Sequence, residues 1–376
     1  MIKTLQIMSV MLLTGIITAF GQQNTVKYNL SYTGDFVKNS LGGIKTGNKY
    51  LGLANIKLEF NTEGAGLWKG GTFFVNAAGT HGGEPTRELT GDYQGISNIE
   101  AGNQVFFQEL WFKQSINDFT LIAGLQDLAS GFTVSEHAAL FLNGSFGMLS
   151  TISHNVPAPV YPLTALGLQA QWNASEKITA KVAFFDGQTD GFDKNPYNLS
   201  WHLSMGDGVF AISELEYSDD IVKGLKGSYK IGAYSHYHRN TIEESGNIVN
   251  RNNYGAYIVA DQSLIDDPQG TKLAIFTQAG LSPYRNNQNY IFLGMGINCA
   301  GLISSRKEDC FGLALAYAGF SDKIYKDETA IEFSFKTVIT ENIFLQPDLQ
   351  YIINPAGTGE KLNNTLAGIV RLGISL

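Results

Sequence analysis

The sequence predicts an all-β protein, a transmembrane antiparallel β-barrel of about 16 strands. Three observations carry that expectation: repeated two-residue alternation of apolar and polar side chains, a chain short of charge without being greasy, and an N-terminal export segment. Of 376 residues, 16% are charged, 12% aromatic and 42 are Gly, with a mean hydropathy of -0.05. Soluble domains carry about 25% charged residues. Disordered chains are highly charged and poor in aromatics, which excludes disorder. A helical membrane span needs about 20 consecutive apolar residues, and none follows the N-terminus.

In chain order, residues 1–21 read as a cleavable export signal. Lys3 is the positive n-region, Ile7 to Ile17 the apolar stretch, and Ala19-Phe20-Gly21 the small-x-small cleavage site. No Cys follows that site, which argues against a lipoprotein. The mature chain, 22–376, is then a single barrel domain. Losing Lys3 takes the formal charge from -8 to about -9, and an acidic balance gives no support to nucleic-acid binding, whose footprint is basic.

Alternation begins after Tyr28. Ala54, Ile56, Leu58 and Phe60 take turns with Asn55, Lys57, Glu59 and Asn61, placing one set on each face of a strand. Leu166, Leu168, Ala170 and Trp172 repeat the pattern, and the chain reverses across 173–177 into Ile178, Ala180, Val182 and Phe184. Leu345, Pro347, Leu349 and Tyr351, then Leu372, Ile374 and Leu376, complete it. Ser135–Leu142 is the one segment that reads as a short helix.

A soluble sandwich also alternates, so the polar face decides. Glu59, Glu109, Glu332, Asp348 and Arg371 stand mid-strand opposite aliphatic and aromatic neighbours, as a lumen opposite a lipid-facing band requires. Lipid leaves no backbone group unpaired, so the strands must close. At roughly 22 residues per strand with its turn or loop, the mature chain holds about 16 strands, enough for an aqueous channel. Three long stretches, Gly79–Gly102, Ser130–Leu163 and Asp186–Gly208, interrupt the strands. Loops beyond about 12–15 residues usually serve a function, so these are expected to cap or constrict. Pro157, Pro159 and Pro162 keep the middle one from being a central strand.

Cys299 and Cys310 are the only cysteines, and export permits a local disulfide between them; two free thiols are the alternative. A structural zinc site usually needs four ligands, so no metal or cofactor is expected. His236 and His238 share a strand face without a third ligand nearby, and a polar lumen or rim is the simpler reading. Gly206-Asp207-Gly208 lacks the βαβ context of a phosphate cradle, and no nucleophile elbow is present, so catalysis is not expected.

Several runs resemble the carbohydrate-selective porin (OprB) family of Gram-negative outer membranes. They are Gly34-Asp35-Phe36 with Gly42-Gly43, Leu67 to Phe74, Thr80-His81-Gly82-Gly83, Gly91 to Glu100, Glu109-Leu110-Trp111, Phe141 to Gly147 and Leu345 to Pro355. They follow in order over nearly the whole mature chain; Leu376, where an aromatic is usual, and the Cys pair depart from the pattern. The resemblance implies loops folded into the lumen as an eyelet and passive diffusion of mono- or oligosaccharides. It implies Glu100, Glu109, Trp111, Gln126 and Asp127 as candidate lining residues. Sugars, outer-membrane lipid with lipopolysaccharide, and the barrel-assembly machinery are the partners that follow, and a homo-oligomer is left open. A general diffusion porin, or a structural or adhesin barrel, are the alternatives.

Residue chemistry sharpens the candidates. A pyranose offers an apolar face to an aromatic ring and a rim of hydroxyls to carboxylates, amides and Arg. Glu109 and Trp111, two apart on a strand, share a face: either the lumen, or lipid with Phe107 as girdle. Asp127, at a strand end, either faces the pore or caps a turn. Arg87 and Glu88 stand in a loop long enough to turn inward or to remain external. Arg371 is expected inward, because a charge facing mid-bilayer costs roughly 2–4 kcal/mol.

Overall fold

The structure, a computed structural model, describes residues 25–201, 208–222, 224–237, 241–242, 248–249, 252–267, 270–322 and 326–376. The expected signal (1–21), Gly206-Asp207 and His238 lie outside the described residues. The strands are β1 (Val26–Gly43), β2 (Gly47–Asn61), β3 (Gly71–Gly82), β4 (Gln104–Ile116), β5 (Phe119–Gln126), β6 (Ala165–Asn173), β7 (Ile178–Asp186), β8 (Val209–Val222) and β9 (Leu225–Tyr237). They continue as β10 (Thr241–Ile242), β11 (Ile248–Val249), β12 (Asn253–Asp266), β13 (Lys272–Leu281), β14 (Asn289–Ala300), β15 (Cys310–Phe320), β16 (Glu328–Thr340), β17 (Ile343–Ile353) and β18 (Asn363–Ser375). β10 and β11 form a separate two-stranded ribbon, and the other 16 close into one antiparallel barrel in which β1 pairs with both β2 and β18. No helix among the described residues is long and apolar enough to cross a membrane.

Alternation becomes two faces through the register. The row Phe60↔Phe73↔Phe112 points outward, and the next row, Glu59↔Phe74↔Trp111, points inward. Outward residues such as Leu58, Phe73, Leu168, Phe184, Ile231, Met295 and Phe333 are exposed, as a lipid-facing band needs. Near the ends of β5 and β6, Phe119 and Trp172 stack outside with their rings 6° from parallel, an aromatic girdle element. Both described termini and short turns such as Asn117-Asp118 and 341–342 share one end; loops 83–103 and 127–164 leave the other. By the barrel rule the short-turn end is periplasmic.

Part of the inner face differs from the polar lumen the pattern suggests. Phe210, Tyr234, Tyr257, Phe276 and Phe292 point inward and are buried, because loop 127–164 fills that half of the barrel with Phe132, Phe141, Phe146, Leu149 and Ile152. Phe141, Phe146 and Phe276 form a ring cluster with centroids 5.2–5.7 Å apart. β13 and β15 make room with small inward residues. A Cβ on Gly312 would come within 2.5 Å of Leu140 and 2.7 Å of Phe141, and one on Gly280 within 2.2 Å of Thr151. The core of this protein is therefore inside its barrel.

Two expectations change in detail. Ser135–Leu142 forms only a 3-10 turn at Ala138–Leu140, because the wall carboxylates Asp261 and Glu332 take Ser135, His137 and Leu142. The stretch beginning at Gly79 is strand as far as Gly82, since Gly82 still pairs with Leu51.

Candidate functional site

A loop inside a barrel has backbone groups that no ladder can pair, and buried ones must find partners. The wall supplies them. Glu332 on β16 accepts from the N–H of Leu142 (2.5 Å) and of Asn143 (3.1 Å). Glu214 on β8 accepts from Thr133 N (2.9 Å), and Asp261 on β12 from Ser135 Oγ (2.6 Å) and His137 N (3.2 Å). Glutamines serve the carbonyls: Gln278 donates to Phe146 O (3.0 Å), Gln346 to Leu140 O (2.6 Å) and Gln350 to Ile96 O (2.8 Å). Glu328 holds loop 83–103 through Tyr93 N (2.7 Å) and Gln94 N (3.0 Å), and Ala356 N (2.8 Å) besides. Glu332, read from the sequence as lumen polarity, is thus a buried loop anchor, and Asp348 is buried beside it on β17, where it accepts from Gln350 (3.2 Å).

With the far half of the lumen packed around loop 127–164, part of the inner wall on β1 to β6 stays less buried. Asn55, Lys57, Glu59, Phe74, Trp111, Lys113 and Gln171 face inward there and keep some exposure. Glu109 and Trp111 are on this face, opposite Leu110 and Phe112. Trp111 Nε1 donates to Glu109 Oε1 (3.2 Å), Ser130 Oγ of the interior loop donates to the same oxygen (3.2 Å), and Phe74 stacks on the indole at 4.6 Å. A bulge at Gln108, where Asn76 pairs with Glu109 but Ala77 with Phe107, brings Gln108 to this side too. There it donates to Asp127 Oδ2 (2.8 Å).

Asp127 caps the turn Leu128–Ser130 by accepting from Ala129 N (2.9 Å), the capping alternative of the two. Burial pushes its pKa up to about 6, with Gln108 pulling the other way. Gln126 donates to Gly167 O on β6 (2.9 Å) and ties the loop root to the wall. Glu100 lies in loop 83–103, accepts from Thr86 N (3.0 Å), and lines a cavity of about 490 Å³ between the two inward loops, with Tyr161 and His154 across it. Burial raises Glu100 to about 7 against the Thr86 bond and lowers His154 to about 4. Arg87 pairs with Glu84 at the rim, and Glu88 with Lys49 (2.5 Å).

Arg371 points inward as expected. It meets Asp35 of β1 through Nε (2.7 Å) and a terminal nitrogen (2.8 Å), and donates to Asn98 Oδ1 (2.8 Å), while Ser97 Oγ bonds Asp35 (2.7 Å). The pair crosses the β1–β18 seam in register and carries loop residues 97–98. Cys299 and Cys310 are free thiols, so the disulfide alternative is not the one adopted. Cys299 is opposite Phe311 and Cys310 opposite Ala300, which sends the two thiols to opposite faces of the sheet. His236 is engaged by Gly187 O (2.8 Å). Sequence reasoning missed Asp35, Phe74, Asn98, Gln108, Ser130 and Tyr161. Of these only Phe74, in the polar phase of β3, carried a local signal.

A closed 16-strand antiparallel barrel with polar residues on an inner wall and loops anchored within it defines a porin-type channel of the bacterial outer membrane. The chain matches the carbohydrate-selective porin, OprB family over residues 45–376, and it belongs to that family. It is an outer-membrane porin for sugars. Among solved structures it is similar to Pseudomonas putida OprB at high pH, at 17% identity and a TM-score of 0.81 over 94% of each chain. The low-pH form of that protein gives 14% and 0.61, over 94% of this chain and 93% of that one. OmpT of Vibrio cholerae, in its trimer form, gives 8% and 0.53 over 94% and 99%. At such identities these are likenesses of fold. No curated protein matches.

Proposed function

We propose that sugars diffuse passively between loops 83–103 and 127–164 and the β1–β6 wall, held in passing by a weak lumenal site at Glu109 and Trp111. The observation that carries this reading is the Trp111–Phe74 aromatic ledge beside a carboxylate on the less buried inner wall. Such a ledge suits the apolar face of a pyranose, and the neighbouring carboxylate its hydroxyls. Glu100 lines the approach. Arg371 acts through the loop it seats, and Gln126 and Asp127 brace the loop root. No residue is assigned a catalytic role. Residues 1–21 serve as the cleaved signal, and insertion by the barrel-assembly machinery into lipid bearing lipopolysaccharide follows from export to the outer membrane; a homo-oligomer remains compatible.

Planar-bilayer conductance tests the reading. Maltose or glucose should reduce the open-channel current, and Trp111→Ala or Glu109→Ala should weaken that block roughly three- to tenfold, the share of one stacking contact or hydrogen bond. Sugar that leaves the wild-type current unchanged would point to a general diffusion pore, and no conductance at all to a structural barrel.

A further inference from the structure

A second aromatic surface stands at the long-loop rim. β5 and β6 are short, and β4 runs past its partner: its pairing with β5 stops at Leu110↔Leu125 although β4 starts at Gln104. The turn 196–198 fills the gap. Asn198 Nδ2 donates to Phe107 O (3.2 Å) and Thr164 Oγ1 (2.6 Å), Asn195 Nδ2 donates to Asn198 Oδ1 (3.0 Å), and Trp201 Nε1 to Asn198 O (2.9 Å). Tyr197 (φ 59) and Asn198 (φ 56) both adopt the left-handed conformation that residues bearing a side chain rarely take. Locking Asn198 inside turns Tyr197 out, where it is 59% exposed and its hydroxyl has no partner among the described residues.

Tyr197 borders a groove of about 470 Å³, completed by Thr80, Asn103, Gln104, Val105, Phe192 and Pro196. Phe192 is held from behind by Phe106 at 4.9 Å. Asn103 spends its carbonyl on Gly82 N (3.0 Å), which leaves its amide N–H groups free to donate. Thr80 Oγ1 accepts from Gln104 N (3.2 Å), fixing the backbone there, while the Gln104 amide makes no bond among the described residues. The lining holds two aromatic rings, two amides and two hydroxyls, and no charge. That donor and acceptor set suits an uncharged ring compound with one apolar face and a hydroxylated rim, and the volume is in the range of small-ligand sites.

We propose that this groove is a pyranoside-binding site at the outer rim, separate from the lumenal ledge. The inference deepens the sugar-porin reading and rests on it. The pyranoside is either a sugar on its way to the channel or a saccharide of the surrounding lipopolysaccharide; the chemistry is shared.

Ligand-observed NMR on the purified, folded barrel tests it in a Trp111→Ala background, with maltose and with lipopolysaccharide core oligosaccharide as probes. At least one probe should still bind. Tyr197→Ala, and separately Gln104→Ala, which leaves the turn intact, should each weaken that binding roughly fivefold. Binding of maltose marks substrate capture, and binding of the core oligosaccharide alone marks a lipopolysaccharide contact; both uphold the site. Absence of binding by either probe, or binding indifferent to both variants, overturns it. Failure of sugar to block the wild-type current would instead strike the channel reading, which this experiment does not touch.

Discussion

Replacing Glu332 by alanine should loosen the interior loop while leaving the wall closed. The carboxylate is fully buried and takes two backbone N–H groups, Leu142 at 2.5 Å and Asn143 at 3.1 Å. A buried donor left without a partner costs about 1–3 kcal/mol, so the pair costs about 2–6 kcal/mol. Asp348 is a neighbouring carboxylate, and removing one of two like charges returns part of that cost, which favours the lower end. The loss is local, because Glu214, Asp261 and Gln278 still hold other parts of the loop. Native-state hydrogen exchange should then show the Leu142 and Asn143 amides exchanging roughly thirtyfold faster, with the amides of β15 to β17 unchanged. Glu332→Gln, which keeps one acceptor, should fall between. If both amides remain as protected in Glu332→Ala as in the wild type, the carboxylate is not what holds this loop.

Two further outcomes follow from the site. Burial pushes Glu100 up to about 7, so lowering the pH from 8 to 5.5 should remove its charge from the approach cavity and move the reversal potential in a salt gradient toward zero; Glu100→Gln should flatten the change. Because the folded state raises this pKa from 4.5 to about 7, Glu100 weighs against folding in full above pH 7, and that burden shrinks progressively as the pH falls from 7 to 4.5. Arg371→Ala strands Asp35, fully buried, with Ser97 as its one remaining side-chain partner among the described residues, and should cost about 3–5 kcal/mol in unfolding titrations; Arg371→Lys, keeping the charge without the two-point geometry, should cost less. An unaltered midpoint for Arg371→Ala would sink that assignment.

The strands were legible wherever one face meets lipid. Ala54–Asn61, Leu166–Trp172 and Ile178–Phe184 all fall in spanning strands with the expected alternation, because a period of two survives whatever lies on the inner side. The filling of the lumen was not legible. Ile275 and Phe276 are adjacent and both apolar, one toward lipid and the other toward Phe141, and no periodicity distinguishes a loop-packed inner face from lipid. Glu332 and Glu109 looked alike as mid-strand carboxylates, yet one takes two loop backbone N–H groups and the other joins the Trp111 indole and a loop hydroxyl. Which is which depends on where residues 127–164 settle. The bulge at Gln108 changes facing without changing residue types, so a strict alternation would have sent Gln108 outward.

Asp35 and Arg371 lie 336 residues apart and on neighbouring strands. Ser97 bonds Asp35 on the first strand and Asn98 accepts from Arg371 on the last, so this stretch of loop gains its full set of hydrogen bonds only when the two strands meet. Closure of the wall therefore also completes the seating of residues 97–98. The two ends of the chain thus share the work of holding one edge of the passage, each supplying a partner that the other lacks.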